Sequence, residues 1–389
     1  MNISRLPLLA LLTLLCTSGR AQNTTAPQTE ATMSIKIKAA KPELIQHKLL
    51  EDFSYESPVL TAFNGKPTVL KAAVLLPSGY AKNKKSSYPV RYNIAGYGGR
   101  YTRVNRLLKD DEFNTWWTSK EAPQVITVFL NGEGPFGDPY QLNSENSGPY
   151  GDALIEEIIP AIDAKYRTQG VSGRFTDGCS TGGWVSLALQ LIYPDDFSGC
   201  YSYSPDPVSF HRMQLIDIYE DENAFINKHG YERPSKRDRY GEPAFSIKKE
   251  VSDENKEGPS GTYVDSGSQW GSWNALYSPR GENGLPVPVF HPTTGVIDHA
   301  IAKQWEKYDL LKMASENWSE LGPKVQEKIY VWMGDMDNYY LNNSMRDFDA
   351  FLKKTTAPKS DAIIEFEAMK GHCDEYSHRE VLEVIGARN

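Results

Sequence analysis

The segment Gly178-Cys179-Ser180-Thr181-Gly182-Gly183 constrains the fold more than any other part of the chain. It follows a β-rich run at 175–178 and precedes residues 184–192, which read as a helix. A serine framed as G-x-S-x-G between strand and helix sits on a sharp turn that only small neighbours permit. Such a motif alone is weak, because small residues recur by chance. Two later runs strengthen it. Residues 329–333 end before Gly334-Asp335-Met336-Asp337, and residues 363–366 end before Gly371-His372-Cys373. A serine, an acid and a histidine each follow a predicted strand, in that order along the chain.

Further strands are predicted at 69–76, 90–95, 125–130 and Gly199–Tyr203 from apolar, β-rich runs ended by turn residues. Residues 152–166 carry helical apolar spacing at Leu154, Ile155, Ile158, Ile159 and Ile162, with Asp152 as N-cap and Pro160 interrupting the pattern. Alternation around Lys36-Ile37-Lys38 predicts an exposed edge strand. Strands alternating with helices imply a mainly parallel sheet with helices on both faces. Ligands of such sheets bind at the carboxyl ends of the strands, where all three candidate residues fall. Residues 205–326 break the rhythm with charge, glycine, proline and the aromatics Tyr231, Tyr240, Tyr263, Trp270, Trp273 and Tyr277. They read as a cap-like insertion dividing a core of 33–204 and 327–389; a separately folded domain is the alternative.

The N-terminus has the form of an export signal over 1–21: Arg5, an apolar run from Leu6 to Leu15, then Gly19-Arg20-Ala21 as cleavage site. That run is too short to span a bilayer, and no later segment resembles a transmembrane helix. Residues 22–32 read as a polar, disordered leader. Net charge is −8, and cleavage removes Arg5 and Arg20 but no acid, leaving −10. No dense basic run is present, which argues against nucleic acid as a partner. Of four cysteines, Cys179, Cys200 and Cys373 would remain in an oxidising compartment, giving one pair and one leftover thiol.

The order serine, acid, histidine is that of α/β-hydrolases. A serine hydroxyl is a poor nucleophile until a base takes its proton. Ser180 is the candidate nucleophile and His372 the base, with an aspartate holding the imidazole in its useful tautomer. Asp337, with G-x-x-D spacing after the strand, is preferred to Asp335; Asp206 is a third possibility, and His378 a fallback base. The oxyanion would be held by the backbone N–H of Thr181 and by the loop Ala95-Gly96-Tyr97-Gly98-Gly99, with Tyr97 as second donor. Trp270 and Trp273 are candidate substrate-binding residues, against the plainer reading that they pack a core. Asn143, Ser144 and Asn146 are weaker candidates for lining the site. His211, His229, His291 and His299 show no metal-ligand spacing, and neither metal nor organic cofactor is required.

The run from Tyr88-Pro89-Val90 to Gly98-Gly99, the serine turn, Tyr193-Pro194-Asp195 and His372 resemble the esterase family of α/β-hydrolases typified by esterase D. That family includes feruloyl and acetyl xylan esterases and mycolyl transferases. The chain departs from it at Ala95, where many members carry histidine. Cys179-Ser180, an aspartate and His372-Cys373 also resemble the CS–D–HC pattern of tannases and fungal feruloyl esterases. This second resemblance implies a Cys179–Cys373 disulfide tying the serine turn to the histidine loop, with Cys200 unpaired in the core.

The expectation is therefore an exported serine esterase acting through an acyl-enzyme on feruloyl- or acetyl-type esters of carbohydrates. Its rivals are an acyltransferase with the same triad and a non-catalytic glycan-binding protein of this fold.

Overall fold

The computed structural model describes residues 43–388. The export signal, the leader and the edge strand predicted at Lys36–Lys38 lie outside the described residues. An eight-stranded sheet runs through the rest. Its strands are β1 (Leu50–Glu56), β2 (Val69–Leu75), β3 (Val90–Asn93), β4 (Ile126–Leu130), β5 (Arg174–Cys179), β6 (Gly199–Tyr203), β7 (Ile329–Gly334) and β8 (Ile363–Glu367). They lie in the order β1-β2-β4-β3-β5-β6-β7-β8. β1 and β4 both pair antiparallel with β2, and every other pairing is parallel. This is an α/β-hydrolase fold.

The central strands β3, β4, β5 and β6 are buried throughout, as strands covered on both faces must be. β1 is an edge strand in which only Phe53 is fully buried. Charge at Glu51, Asp52 and Glu56 hides it in the sequence, although Phe53 and Tyr55 keep the period of two.

Helix α1 (Thr181–Ile192) is buried on every side up to Leu191. A helix apolar all round belongs inside a protein. Each fully buried leucine of α1 contributes about 1.5–3 kcal/mol.

The helical run predicted from 152 begins instead at Tyr150, and Asp152 lies inside it. The side chain of Asn143 supplies the cap: its Oδ1 accepts the Asp152 N–H at 3.0 Å, and its Nδ2 donates to the Asp152 carboxylate at 2.7 Å. The ladder widens into a π-helical stretch at Ala153–Ile158 immediately before Pro160, which falls in the first turn of Ile159–Lys165. A proline lacks the N–H that an interior helical position needs, and this register change accommodates it.

Residues 205–326 share one hydrophobic core with the sheet. Phe210, Trp270, Trp273, Tyr277 and Trp305 cluster with Val90, Val331 and Trp184 of β3, β7 and α1. The segment carries α2 (Ile247–Glu257), α3 (Gln269–Tyr277) and α4 (Leu310–Leu321). After it come α5 (Asn342–Lys354) and α6 (His378–Ala387). No helix among the described residues is long and apolar enough to cross a membrane.

Candidate active site

Ser180 stands between β5 and α1 with φ +61° and ψ −128°. This backbone conformation is costly for a residue with a β-carbon and persists only where the surroundings enforce it. The enforcing contacts are visible at the glycines. A β-carbon on Gly182 would stand 2.3 Å from the Ile94 carbonyl oxygen, and one on Gly183 would stand 2.4 Å from that of Tyr203. The helix can therefore approach β3 and β6 only without side chains there. The Ser180 N–H donates to the Tyr203 carbonyl at 3.0 Å and fixes the turn further.

His372 follows β8, and its Nδ1 lies 2.6 Å from Oδ2 of Asp337, which follows β7. A carboxylate can only accept, so Nδ1 carries the proton and a neutral ring keeps Nε2 free as base. Asp337 is fully buried. Its Oδ1 accepts the backbone N–H groups of Tyr339 at 2.9 Å and Leu341 at 3.3 Å, so both oxygens are used. Asp335 instead pairs with Arg346 on a half-exposed surface.

Burial of the His372 ring disfavours its charged form. The charge and hydrogen bond of Asp337, helped by the charge of Asp206, outweigh burial and raise its pKa above 6.5. Tyr339 packs edge-on against the imidazole at 5.0 Å between ring centres.

Cys179 and Cys373 form a disulfide with Cα atoms 6.0 Å apart. It joins the residue before Ser180 to the residue after His372. Ser180 and His372 both line one pocket of about 580 Å³, together with Tyr97, Asp206 and Trp273. Among the described residues no hydrogen bond joins their two side chains. Such bonds often tighten only when substrate arrives.

Thr181 opens α1, so its N–H has no acceptor within the helix. The loop after β3 lies against the serine: a β-carbon on Gly96 would be 3.3 Å from the Cys179 carbonyl oxygen and 3.7 Å from Ser180 Cβ. Tyr97 follows Gly96 in this loop, its ring half-exposed on the pocket wall.

Other candidates are placed differently. Nδ1 of His378 lies 2.9 Å from Nη2 of Arg91, and accepts from it since a guanidinium only donates. Arg91 in turn forms a buried, two-pronged pair with Asp177 at 2.8 and 2.5 Å. Burial and the charges of Arg91 and Arg103 hold the His378 ring well below its usual pKa. Ser144 and Asn146 donate to the Ala275 carbonyl, and Asn146 also to that of Ser278. They pin the end of α3 rather than line the pocket. Trp270 is wholly buried and does not reach the pocket, whereas Trp273 forms part of its wall. Neither indole face is open for stacking. His211 pairs with Asp217, and Cys200 is a buried free thiol.

Sequence reasoning missed Glu250, Gln214 and Gln269, all of which line the pocket. They lie in the aperiodic insertion, where neither motif nor spacing marks them.

A strained serine at a strand-to-helix turn, beside an aspartate-bound histidine in an α/β-hydrolase fold, has the architecture of a serine hydrolase. A family profile described as "Putative esterase" matches residues 66–382, and the chain belongs to that family. It is a carboxylic ester hydrolase. Among solved structures, a ferulic acid esterase is 16% identical, with TM-score 0.52 over 87% of this chain and 96% of its own. An S-formylglutathione hydrolase from Agrobacterium tumefaciens is 13% identical, with TM-score 0.46 over 87% and 92% of the two chains. A CE1 ferulic acid esterase from Anaeromyces mucronatus is 14% identical, with TM-score 0.42 over 90% and 91%. At these identities the likeness shows the fold alone, and the first structure carries it. No curated protein matches the chain.

Proposed function

We propose that the protein is an exported serine esterase that cleaves acyl esters of carbohydrates, of feruloyl or acetyl type, through an acyl-enzyme. The 2.6 Å contact between His372 Nδ1 and Asp337 supports this reading above all, because it leaves Nε2 as base on the pocket shared with Ser180. Ser180 Oγ attacks the ester carbonyl carbon while Nε2 takes its proton. The tetrahedral oxyanion is held by the amides of Thr181 and Tyr97. Collapse breaks the bond to the alcohol oxygen, which leaves with the proton from His372. Water then adds to the acyl-serine by the same route in reverse order, releasing the acid and restoring Ser180.

The carbohydrate assignment follows the sequence resemblance and the ferulic acid esterase of shared fold. The disulfide and the N-terminal sequence support export. A fluorophosphonate probe should label the wild type and not Ser180→Ala, and the same pair should differ at least a thousandfold in ester hydrolysis. Equal labelling or equal hydrolysis would remove Ser180 from the reaction.

A further inference from the structure

Beside Ser180 and His372 one part of the pocket wall comes from the insertion and the loop after β6, and its polar atoms are unevenly used. Asp206 is 2% exposed. Its Oδ2 accepts from Tyr140 Oη at 2.8 Å, Trp273 Nε1 at 3.0 Å and Thr181 Oγ1 at 3.1 Å. Among the described residues none donates to its Oδ1. Glu250 repeats the pattern. Its Oε2 accepts from Ser235 Oγ and from Trp270 Nε1, and nothing described donates to Oε1.

The two indoles pack edge to face, 5.0 Å between ring centres. One helix, α3, therefore steadies both carboxylates. Gln214 is also 2% exposed and lines the same pocket, with Nε2 on Ser235 and Oε1 without a partner. Gln269 Nε2 donates to Tyr140 Oη at 2.9 Å, and nothing described donates to its Oε1.

Of these acceptors Gln214 Oε1 is buried with no partner, and a buried polar atom left so calls for an explanation, which a bound ligand supplies. The chemistry that would complete this set is a group of neutral donors. Free carboxylate and amide oxygens accept from hydroxyls, and several convergent acceptors call for several hydroxyls on one molecule. The side of the ester that meets them follows from the reaction. The departing alcohol takes its proton from His372, so it lies on the histidine side of Ser180. Asp206, Glu250, Gln214 and Gln269 line the same pocket as His372.

We infer that Asp206 and Glu250, with Gln214 and Gln269, form the alcohol subsite and select esters whose alcohol part is polyhydroxylated. This rests on the reading of Ser180 as nucleophile and adds to it which half of the substrate is recognised, and by which residues.

The test compares glucose, methyl and choline esters of one acid, read as ratios of kcat/KM. Wild type should favour the glucose ester over the methyl ester about tenfold or more. In Asp206→Asn and in Glu250→Gln that ratio should fall by about tenfold, chiefly through KM, as expected for lost hydrogen bonds to charged acceptors. A merely structural role would lower both esters together and leave the ratio unmoved. An unchanged ratio in both variants, or a preference for the choline ester, overturns the inference. Calorimetry of xylobiose binding to Ser180→Ala separates the two readings. Binding lost with Asp206→Asn upholds the subsite even if no ester is cleaved, and binding that ignores Asp206 removes it.

Discussion

Two aspartates two residues apart illustrate how position overrides residue type. Asp337 is sealed in and accepts from His372 and two backbone amides, whereas Asp335 meets Arg346 at the surface. Asp337→Asn should lower kcat by about 10³–10⁴-fold, the scale seen when an orienting aspartate is neutralised. Asp335→Asn should change it by less than about threefold, since a surface ion pair is worth about 1 kcal/mol or less. Steady-state kinetics on one ester decides both.

The His372 ring must be neutral to act as base; burial and, more weakly, Lys236 lower its pKa, but Asp337 and Asp206 outweigh them and raise it above 6.5. The predicted kcat/KM therefore climbs with pH and levels off on the alkaline side of 6.5. Asp206→Asn should move that inflection to lower pH in a pH–rate profile; an inflection that stays put would detach Asp206 from the ring.

Asp138 is a buried carboxyl whose pKa is shifted upward. Burial pushes it up to about 7, its Oδ1 accepts the Tyr140 N–H, and its Oδ2 has no partner. An unfolded aspartate ionises near 3.8. Between those values the folded chain binds more protons than the unfolded one, so this group's contribution falls as pH rises through the window. Asp138→Asn should flatten the pH dependence of stability between pH 4 and 7, with its largest relative gain above pH 7, seen by denaturant unfolding.

At the scale of elements, α3 joins fold and site. The buried carboxylate of Glu254 on α2 accepts the backbone N–H groups of Trp270 and Gly271 at 2.9 and 3.0 Å and Ser266 Oγ at 3.0 Å. It caps α3, favourably for the helix dipole. Glu254→Ala leaves those buried donors unmet and should cost about 2–4 kcal/mol. Because Trp270 and Trp273 hang from that helix, discrimination among alcohols should weaken in parallel.

Elements also decide what the sequence could disclose. The strands predicted at 90–95, 125–130 and Gly199–Tyr203 were legible because both faces are buried and apolar or β-rich residues dominate, and that at 69–76 because its second half is buried, although Lys71 and Arg91 interrupt the runs. β1 was not, since one buried residue leaves little pattern. The turn around Ser180 was legible because the close approach of its backbone to β3 and β6 requires glycines, which leave a motif in the sequence. Glu250, Gln214 and Gln269 were not, because their roles come from tertiary folding of an aperiodic segment. The tryptophans of α3 were singled out as possible stacking surfaces, yet the structure uses their N–H groups.

Over the whole molecule, the sheet gathers the ends of β3, β5, β6, β7 and β8 at one edge, so loops far apart in sequence meet there. The disulfide spans 194 residues between two of those loops. Replacing both cysteines by alanine should cost about 3–5 kcal/mol through the entropy regained by the unfolded chain. Melting of the double variant against wild type checks this, and a change below about 1 kcal/mol would mean that the cross-link constrains the unfolded chain little.

The same bond makes the history of each molecule matter. A copy produced in a reducing cytosol would carry two thiols in place of the clasp, leaving its reactive loops to drift. The fraction of working enzyme in a preparation then records where the chain matured, and recombinant yield should depend on the host compartment more than on the amount of polypeptide synthesised.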